Sequence, residues 1–359
     1  MYSKIQNLRN WIKKYKHWLM SAFLIFGFVS DSLTFRRVAG VFENTVMVVY
    51  LIITAFTIFV VNYLRHKENR SAFLEKVYLF SPFVIQFTLG GLFSGFTVFY
   101  FRSGSLVSSW FFIIILLTLM LGNEIFKKHY EHLAFQITAL FTAIYFYLIF
   151  AVPVFVNKIG VGVFLLSGVV SFFVMLVCMY LFYLFIPGQI RKHKKIFVIA
   201  TFSMFALVNV LYFTNIIPPI PLALKKVETY YQVTKVRGEY RVMDETKSKF
   251  LQRKTMYISP GDRIYVFSLV FAPAKIDTMI THRWQYYDTI QKKWITESIP
   301  SFSVSGGRED GYRGYSFKSS TKEGRWRVRV ETARGQVLGT IVFNIKYQPE
   351  LQELEEKML

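Results

Sequence analysis

Two hydrophobic patterns divide the chain. Residues 18–217 hold long, nearly unbroken apolar runs, whereas from Met256 onward apolar residues recur at alternate positions in short segments. Runs of about 20 apolar residues are long enough to cross about 30 Å of hydrocarbon as helix. Seven come near or exceed that length: 18–33, 45–64, 77–101, 106–123, 133–156, 159–186 and 196–217. The last enters Ile216-Ile217-Pro218-Pro219-Ile220-Pro221. Paired prolines remove backbone donors and force the preceding residues into extended conformations, so the span is expected to stop there. Lys4, Arg9, Lys13, Lys14 and Lys16 precede the first run like the front of a signal peptide. No small-residue cleavage site follows, so 18–33 is read as a retained span.

The second pattern predicts strands. Residues 263–271, 279–287, 293–299, 312–319, 325–331 and 340–347 are rich in β-branched and aromatic residues and are bounded by Pro-Gly, Gly-Gly, Glu-Gly and Arg-Gly turns. Strands at spacings of about ten residues imply a small antiparallel sandwich. Segment 263–271 is expected to be central. Alternation in 279–287 places Ile280, His282, Trp284 and Tyr286 on one face. Gly339 separates Leu338 from the inward set Ile341, Phe343 and Ile345, as a bulge would. The expected architecture is an all-α seven-helix transmembrane bundle followed by an all-β, Ig-like sandwich. Its boundaries are 1–217 for the bundle, 218–254 for a Pro-rich exit and stalk with 229–233 as a candidate short strand, 255–347 for the sandwich, and 348–359 for a short polar tail.

Composition agrees with a membrane chain: 359 residues are 53% hydrophobic and include 38 Phe. The single cysteine, Cys178, lies in an apolar run, which excludes an intrachain disulfide and a cysteine metal cluster. The formal charge of +21 would point to nucleic acid in a soluble protein, but no RNA-binding aromatic pattern or zinc-finger spacing accompanies it. Its distribution carries topology instead. Lys and Arg near span ends are retained on the cytoplasmic side. One set of flanks, at 4–16, 65–76, 127–128 and 191–195, holds fifteen Lys and Arg; the opposite set holds four, namely Arg36, Arg37, Arg102 and Lys158. The N-terminus is therefore expected inside, and after seven spans the C-terminal domain outside the cytoplasm.

Candidate chemistry is sparse. Asp31, Glu43 and Glu124 sit at span ends, and the polar groups within spans are the amides Asn62, Gln86, Gln136 and Asn209. Ion-coupled transport usually needs charge deep in the bundle, so amides bonding neighbouring helices are the simpler reading. Gly91 and Gly95, in step with Gly90 and Ser94, and Ser167 with Ser171, allow close helix approach. They could form a dimer seam, but packing within one bundle is favoured. Glu124, His129 and His132 form a candidate rim site, with the two histidines on one helical face; without a third fixed ligand no metal is assigned. The glycine-rich loop 305–311 lacks the oxygens of a calcium loop and reads as a hairpin connection.

A resemblance is carried by Ile280-Thr281-His282-Arg283-Trp284-Gln285-Tyr286-Tyr287, by Tyr312-Arg313-Gly314-Tyr315-Ser316 and by Gly324-Arg325-Trp326-Arg327-Val328-Arg329-Val330, with Gly335, Leu338-Gly339 and Phe343. These stretches resemble the bacterial domain-of-unknown-function family 2914. The resemblance implies a compact extracytoplasmic β-domain of envelope proteins and transfers no catalytic residue.

His282 shares the parity of Trp284 and is expected buried and hydrogen-bonded. A catalytic role would need Asp277, Asp288 or Glu297 beside it. On the strand carrying Trp326, Val328 and Val330 inward, Arg325, Arg327 and Arg329 fall on the other face. Arginine forks suit phosphate and carboxylate, so this row is the candidate binding site, weighed against an ordinary solvated face. The expected function is an envelope-binding module without chemistry or cofactor of its own, whose partners are the bilayer and an anionic lipid, glycan or protein. The alternative is an integral-membrane enzyme or transporter acting on a lipid-linked substrate at the rim site.

Overall fold

The computed structural model describes residues 26, 29–30, 34, 40–65, 67, 70–103, 110–111, 114–115, 118, 132–217, 222–236, 239–245, 255–272, 277–305, 311–348 and 354–359. Helices come first and strands second. Contacts divide the chain into two compact units, a first that ends at Ile217 and a second that holds the strands.

Among the described residues five helices of the first unit are long and apolar enough to cross a membrane. They are α1 (Val41–Arg65), α2 (Ala72–Ser103), α3 (Leu133–Val156), α4 (Val161–Phe185) and α5 (Pro187–Phe213). Seven were expected; the first and fourth, 18–33 and 106–123, lie outside the residues described as continuous helix. Polar side chains within the spans join one helix to the next. Asn62 Nδ2 on α1 donates to Gln136 Oε1 on α3 at 2.6 Å, Thr54 and Thr88 hydroxyls meet at 2.7 Å between α1 and α2, and Asn209 Nδ2 on α5 reaches Tyr145 Oη on α3 at 3.3 Å. The Asn62–Gln136 and Asn209–Tyr145 bonds are the bridging role expected of those three amides. Gly91 and Gly95 are buried within this unit. Close approach is clearest at Gly168 on α4, where an added Cβ would lie 2.7 Å from the Phe205 ring of α5.

The last span differs from its expected bounds at both ends. Helix α5 begins at Pro187, separated from the end of α4 at Phe185 by Ile186 alone. Proline is tolerated at a first helical position because its missing N–H has no intrahelical partner there. The basic run 191–195, expected as a loop, is consequently helical. At the other end α5 stops at Phe213, before the prolines. Asn215 takes φ 59°, and Ile216 N–H returns to Leu211 O at 3.0 Å, closing the helix with a left-handed residue.

The second unit contains twelve strands among the described residues: β1 (Ala223–Tyr230), β2 (Gln232–Val236), β3 (Glu239–Glu245), β4 (Thr255–Ile258), β5 (Ile264–Phe271), β6 (Asp277–Asp288), β7 (Lys293–Ser298), β8 (Ser301–Ser305), β9 (Tyr312–Lys318), β10 (Gly324–Thr332), β11 (Val337–Tyr347) and β12 (Leu354–Met358). One sheet has the order β1-β5-β9. A second runs β4-β11-β10-β6-β7, with β8 also on β6, and a third is β12-β3-β2. The main core lies between the first two sheets: Ile264 and Val266 of β5 meet Trp284, Trp326, Val328, Phe343 and Ile345 of the larger sheet. On the opposite side of β5, Phe267 packs with Tyr230, Val233, Tyr240 and Val242. Strand β5 is thus central and buried on both faces, which is why it is almost continuously apolar.

The stretch expected as stalk carries three strands. Lys225 is an extra residue in the β1–β5 ladder, whose register shifts between Leu224 and Lys226. That bulge brings Leu224 and Val227, three positions apart, to the same side, so β1 lacks a period of two. The expected polar tail likewise carries β12, which pairs antiparallel with β3. As an edge strand with mostly exposed residues it shows no apolar alternation. Loop 306–310 lies outside the described residues, but it leads from β8 on β6 to β9 on β5, so it changes sheets and does not close a hairpin. The bulge beside Gly339 is present: register shifts there between β10 and β11.

Candidate functional site

Strands β6 and β10 pair over seven positions, with Trp326 opposite Tyr286, Val328 opposite Trp284 and Val330 opposite His282. These alternate with Arg327 opposite Gln285 and Arg329 opposite Arg283. Period-two alternation therefore produces two polar constellations on opposite faces of one sheet.

The inner constellation centres on His282, which is fully buried. Ser268 Oγ of β5 lies 2.9 Å from Nε2, and Ser316 Oγ of β9 lies 2.8 Å from Nδ1. Trp284 Nε1 donates to the same Ser316 oxygen at 3.0 Å. A neutral imidazole offers one donor and one acceptor, and hydroxyls can supply either, so the neutral ring satisfies both partners. Burial disfavours the cation and pulls the His282 pKa down to about 3. Serine and histidine in contact could form a nucleophile and base, but two of the three carboxylates considered for this role, Asp288 and Glu297, act elsewhere. Asp288 Oδ1 accepts turn N–H groups from Ile290 and Gln291 at 2.8 and 2.9 Å, and Glu297 lies 3.7 Å from Lys322 Nζ. With His282 and Ser268 both at 0% exposure, the cluster ties the two sheets together and offers no approach to a substrate.

The outer constellation gathers the expected arginine row. Arg325, Arg327 and Arg329 are half-buried along β10. Arg327 Nε donates to Gln285 Oε1 at 2.6 Å, and its guanidinium lies 4.3 Å from the Trp294 ring centre. The same ring lies 5.3 Å from Arg325, and Tyr287 meets Trp294 edge-on at 5.2 Å. Glu331 bonds Arg283 at 2.9 Å and lies 3.5 Å from Arg329. Among the described residues the face therefore sets Arg283, Arg325, Arg327 and Arg329 against one carboxylate, that of Glu331. Burial and the neighbouring Arg329 and Arg325 charges push the Arg327 pKa down, against Glu331. Aromatic stacking and the Nε bonds of Arg283 and Arg327 orient the guanidiniums while leaving their Nη groups outside those bonds. Sequence alternation locates the row and puts Arg283 and Gln285 on the outer face of their own strand; which arginine each one meets, and that Trp294 joins them, depends on the β6–β10 and β6–β7 registers.

Of the three rim residues only His132 is among those described. Glu124 and His129 lie outside the described residues, and His132 precedes α3 as its N-cap without a side-chain cap bond. Among the described residues no group of three metal-ligating side chains occurs.

The family described as "Protein of unknown function (DUF2914)" matches residues 277–345, which cover β6 to β11 and contain both constellations. No curated protein matches the chain. Among solved structures, β-glucosidase from Listeria innocua in complex with glucose is similar at 10% identity with a TM-score of 0.20, covering 34% of this chain and 16% of its own. The Pseudomonas fluorescens alkylpurine DNA glycosylase AlkC, bound to DNA containing an abasic site analog, is similar at 10% identity with a TM-score of 0.23, covering 83% of this chain and 76% of its own. The chain thus spans about a sixth of the glucosidase's length, and at these TM-scores neither likeness bears on fold or chemistry.

Proposed function

We propose that this is a seven-span bacterial inner-membrane protein, with its N-terminus in the cytoplasm and its β-domain in the periplasm, that uses the outer face of the larger sheet to hold an anionic envelope component. The observation that carries the binding reading is the excess of guanidinium on that face: four arginines against Glu331, two of them stacked on Trp294. A purely solvated face would be expected to pair its arginines with cross-strand carboxylates. Here Arg325 and Arg327 have no carboxylate within ion-pairing distance among the described residues. Flat sheet geometry and aromatic backing favour an extended polyanion, such as an acidic envelope glycan, over a small enclosed ligand. The topology reading rests on the fifteen-to-four asymmetry of Lys and Arg.

The binding test uses the full chain in nanodiscs of uncharged lipid. An acidic polysaccharide should bind, weaken with added salt, and bind several-fold less to the Arg327→Ser, Arg329→Ser double variant. Unchanged binding by the variant would leave the row as ordinary surface charge. A reporter fused after Leu359 should act outside the cytoplasm and one at Lys67 inside; a cytoplasmic signal after Leu359 would overturn the span count and the placement of the domain.

A further inference from the structure

Within the helical unit, α3, α4 and α5 enclose a groove of about 600 Å³. Its size falls within the range of roughly 300–1,000 Å³ usual for small-molecule sites. Polarity is segregated along it. Arg191 and Lys194 of α5 and Tyr183 of α4 stand at one end, while Phe172 and Met175 of α4 and Phe202 of α5 line the other. Eleven residues separate Arg191 from Phe202, so at 1.5 Å per residue the groove follows α5 for about 16 Å. That is about half of a 30 Å hydrocarbon core, the depth of one leaflet.

The cations are arranged for an anion. Arg191 and Lys194 are three apart on a helix and share a face. Both are exposed, and neither has a carboxylate within ion-pairing distance among the described residues. Tyr183 holds Arg191 in place: its hydroxyl accepts Arg191 Nη2 at 2.5 Å, and its ring centre lies 5.5 Å from the guanidinium. Below them Met175 and Met179 supply flexible apolar walls that adapt to a chain. A soluble anion would use the cations and leave the apolar depth unfilled; an uncharged lipid would use the depth and leave two cations unmatched.

We infer that this groove binds one anionic glycerophospholipid, with its phosphate on Arg191 and Lys194 and one acyl chain running past Met175 to Phe172 and Phe202. The site is separate from the arginine face of the β-domain and does not depend on it. Nor does it depend on which leaflet is cytoplasmic, because both ends of a span meet headgroups.

Native mass spectrometry of the delipidated full chain tests this by comparing phosphatidylglycerol with phosphatidylcholine of the same acyl length. One phosphatidylglycerol should be retained several-fold more than phosphatidylcholine, and Arg191→Gln with Lys194→Gln should bring retention to the phosphatidylcholine level. Met175→Trp, which narrows the apolar depth, should lower retention of both lipids. If the double variant fails to fold, Lys194→Gln alone, at an exposed position, should still reduce the preference. Equal retention of the two lipids by the wild type, or an undiminished preference in the folded charge variants, would overturn the proposal. So would competition by glycerol phosphate as effective as that by the lipid, since the site would then hold a soluble anion.

Discussion

The two faces of β10 carry polar chemistry to opposite ends. Inward, Val330 lies opposite His282, whose ring nitrogens both meet serine hydroxyls in a site closed to water. Outward, Arg327 and Arg329 sit opposite Gln285 and Arg283, and among the described residues only Arg283 and Arg329 meet a carboxylate, that of Glu331. The first arrangement is internally complete; the second has hydrogen-bonding capacity left over. A polar group that is fully satisfied and buried argues for structure, whereas an oriented, half-exposed charge without its counterion argues for a ligand. Family resemblance, burial and residue type do not separate these two cases by themselves; the partner inventory does.

The largest expected effect is on the inner face. Trp326 is fully buried, and its Nε1 donates to Lys322 O at 2.8 Å. Trp326→Ala should destabilise the β-domain by about 3–5 kcal/mol in chemical denaturation. A loss below about 1 kcal/mol would mean that the ring is not in the core and that the faces are reversed.

Next is the pH dependence of His282. Its folded pKa of about 3 lies below the ordinary value of 6.5, so between these values the unfolded chain binds the extra proton. Stability from this group is complete above about pH 6.5 and is lost as pH falls toward 3, with a slope of at most about 1.4 kcal/mol per pH unit. His282→Gln should flatten that part of the profile. An identical slope in the variant would show that the ring titrates in water.

The arginines should then divide by role. Glu331 has a side chain only 3% exposed, and Arg283 is its nearer partner at 2.9 Å. Arg283→Ala should cost roughly 1–3 kcal/mol, because it strips a buried carboxylate of its closest counterion. Arg325→Ser should cost less than about 1 kcal/mol and act on binding instead. Equal costs would erase the distinction between arginines that hold the sheet and arginines that face a ligand.

Much of this was legible where one period ran unbroken. The fifth expected span, 133–156, coincides with α3, and the alternation in 279–287 places Ile280, His282 and Trp284 inward, where they are buried. Legibility failed where the period broke. The bulge at Lys225 shifts Leu224 and Val227 out of step and hid β1, and the charged edge strand β12 has no buried face to advertise. The start of α5 is masked in the sequence because the charges of Arg191 to Lys195 have the pattern of a loop, although a helix carries charge in its first turns at headgroup level. That same masking conceals the groove, which requires Arg191 and Lys194 to share a helical face. Both arginine and histidine positions were visible, but Trp294 and Gln285 join the site only through strand register.

The claim that the outer face is the binding face is tested most directly by arginine-selective chemical modification of the full chain, with and without an acidic polysaccharide, read residue by residue by mass spectrometry. The account predicts that the polymer protects Arg325, Arg327 and Arg329 several-fold while leaving exposed Arg263, stacked on Phe317 away from β10, unchanged. Uniform protection of Arg263 and the β10 row, or protection of neither, would contradict it.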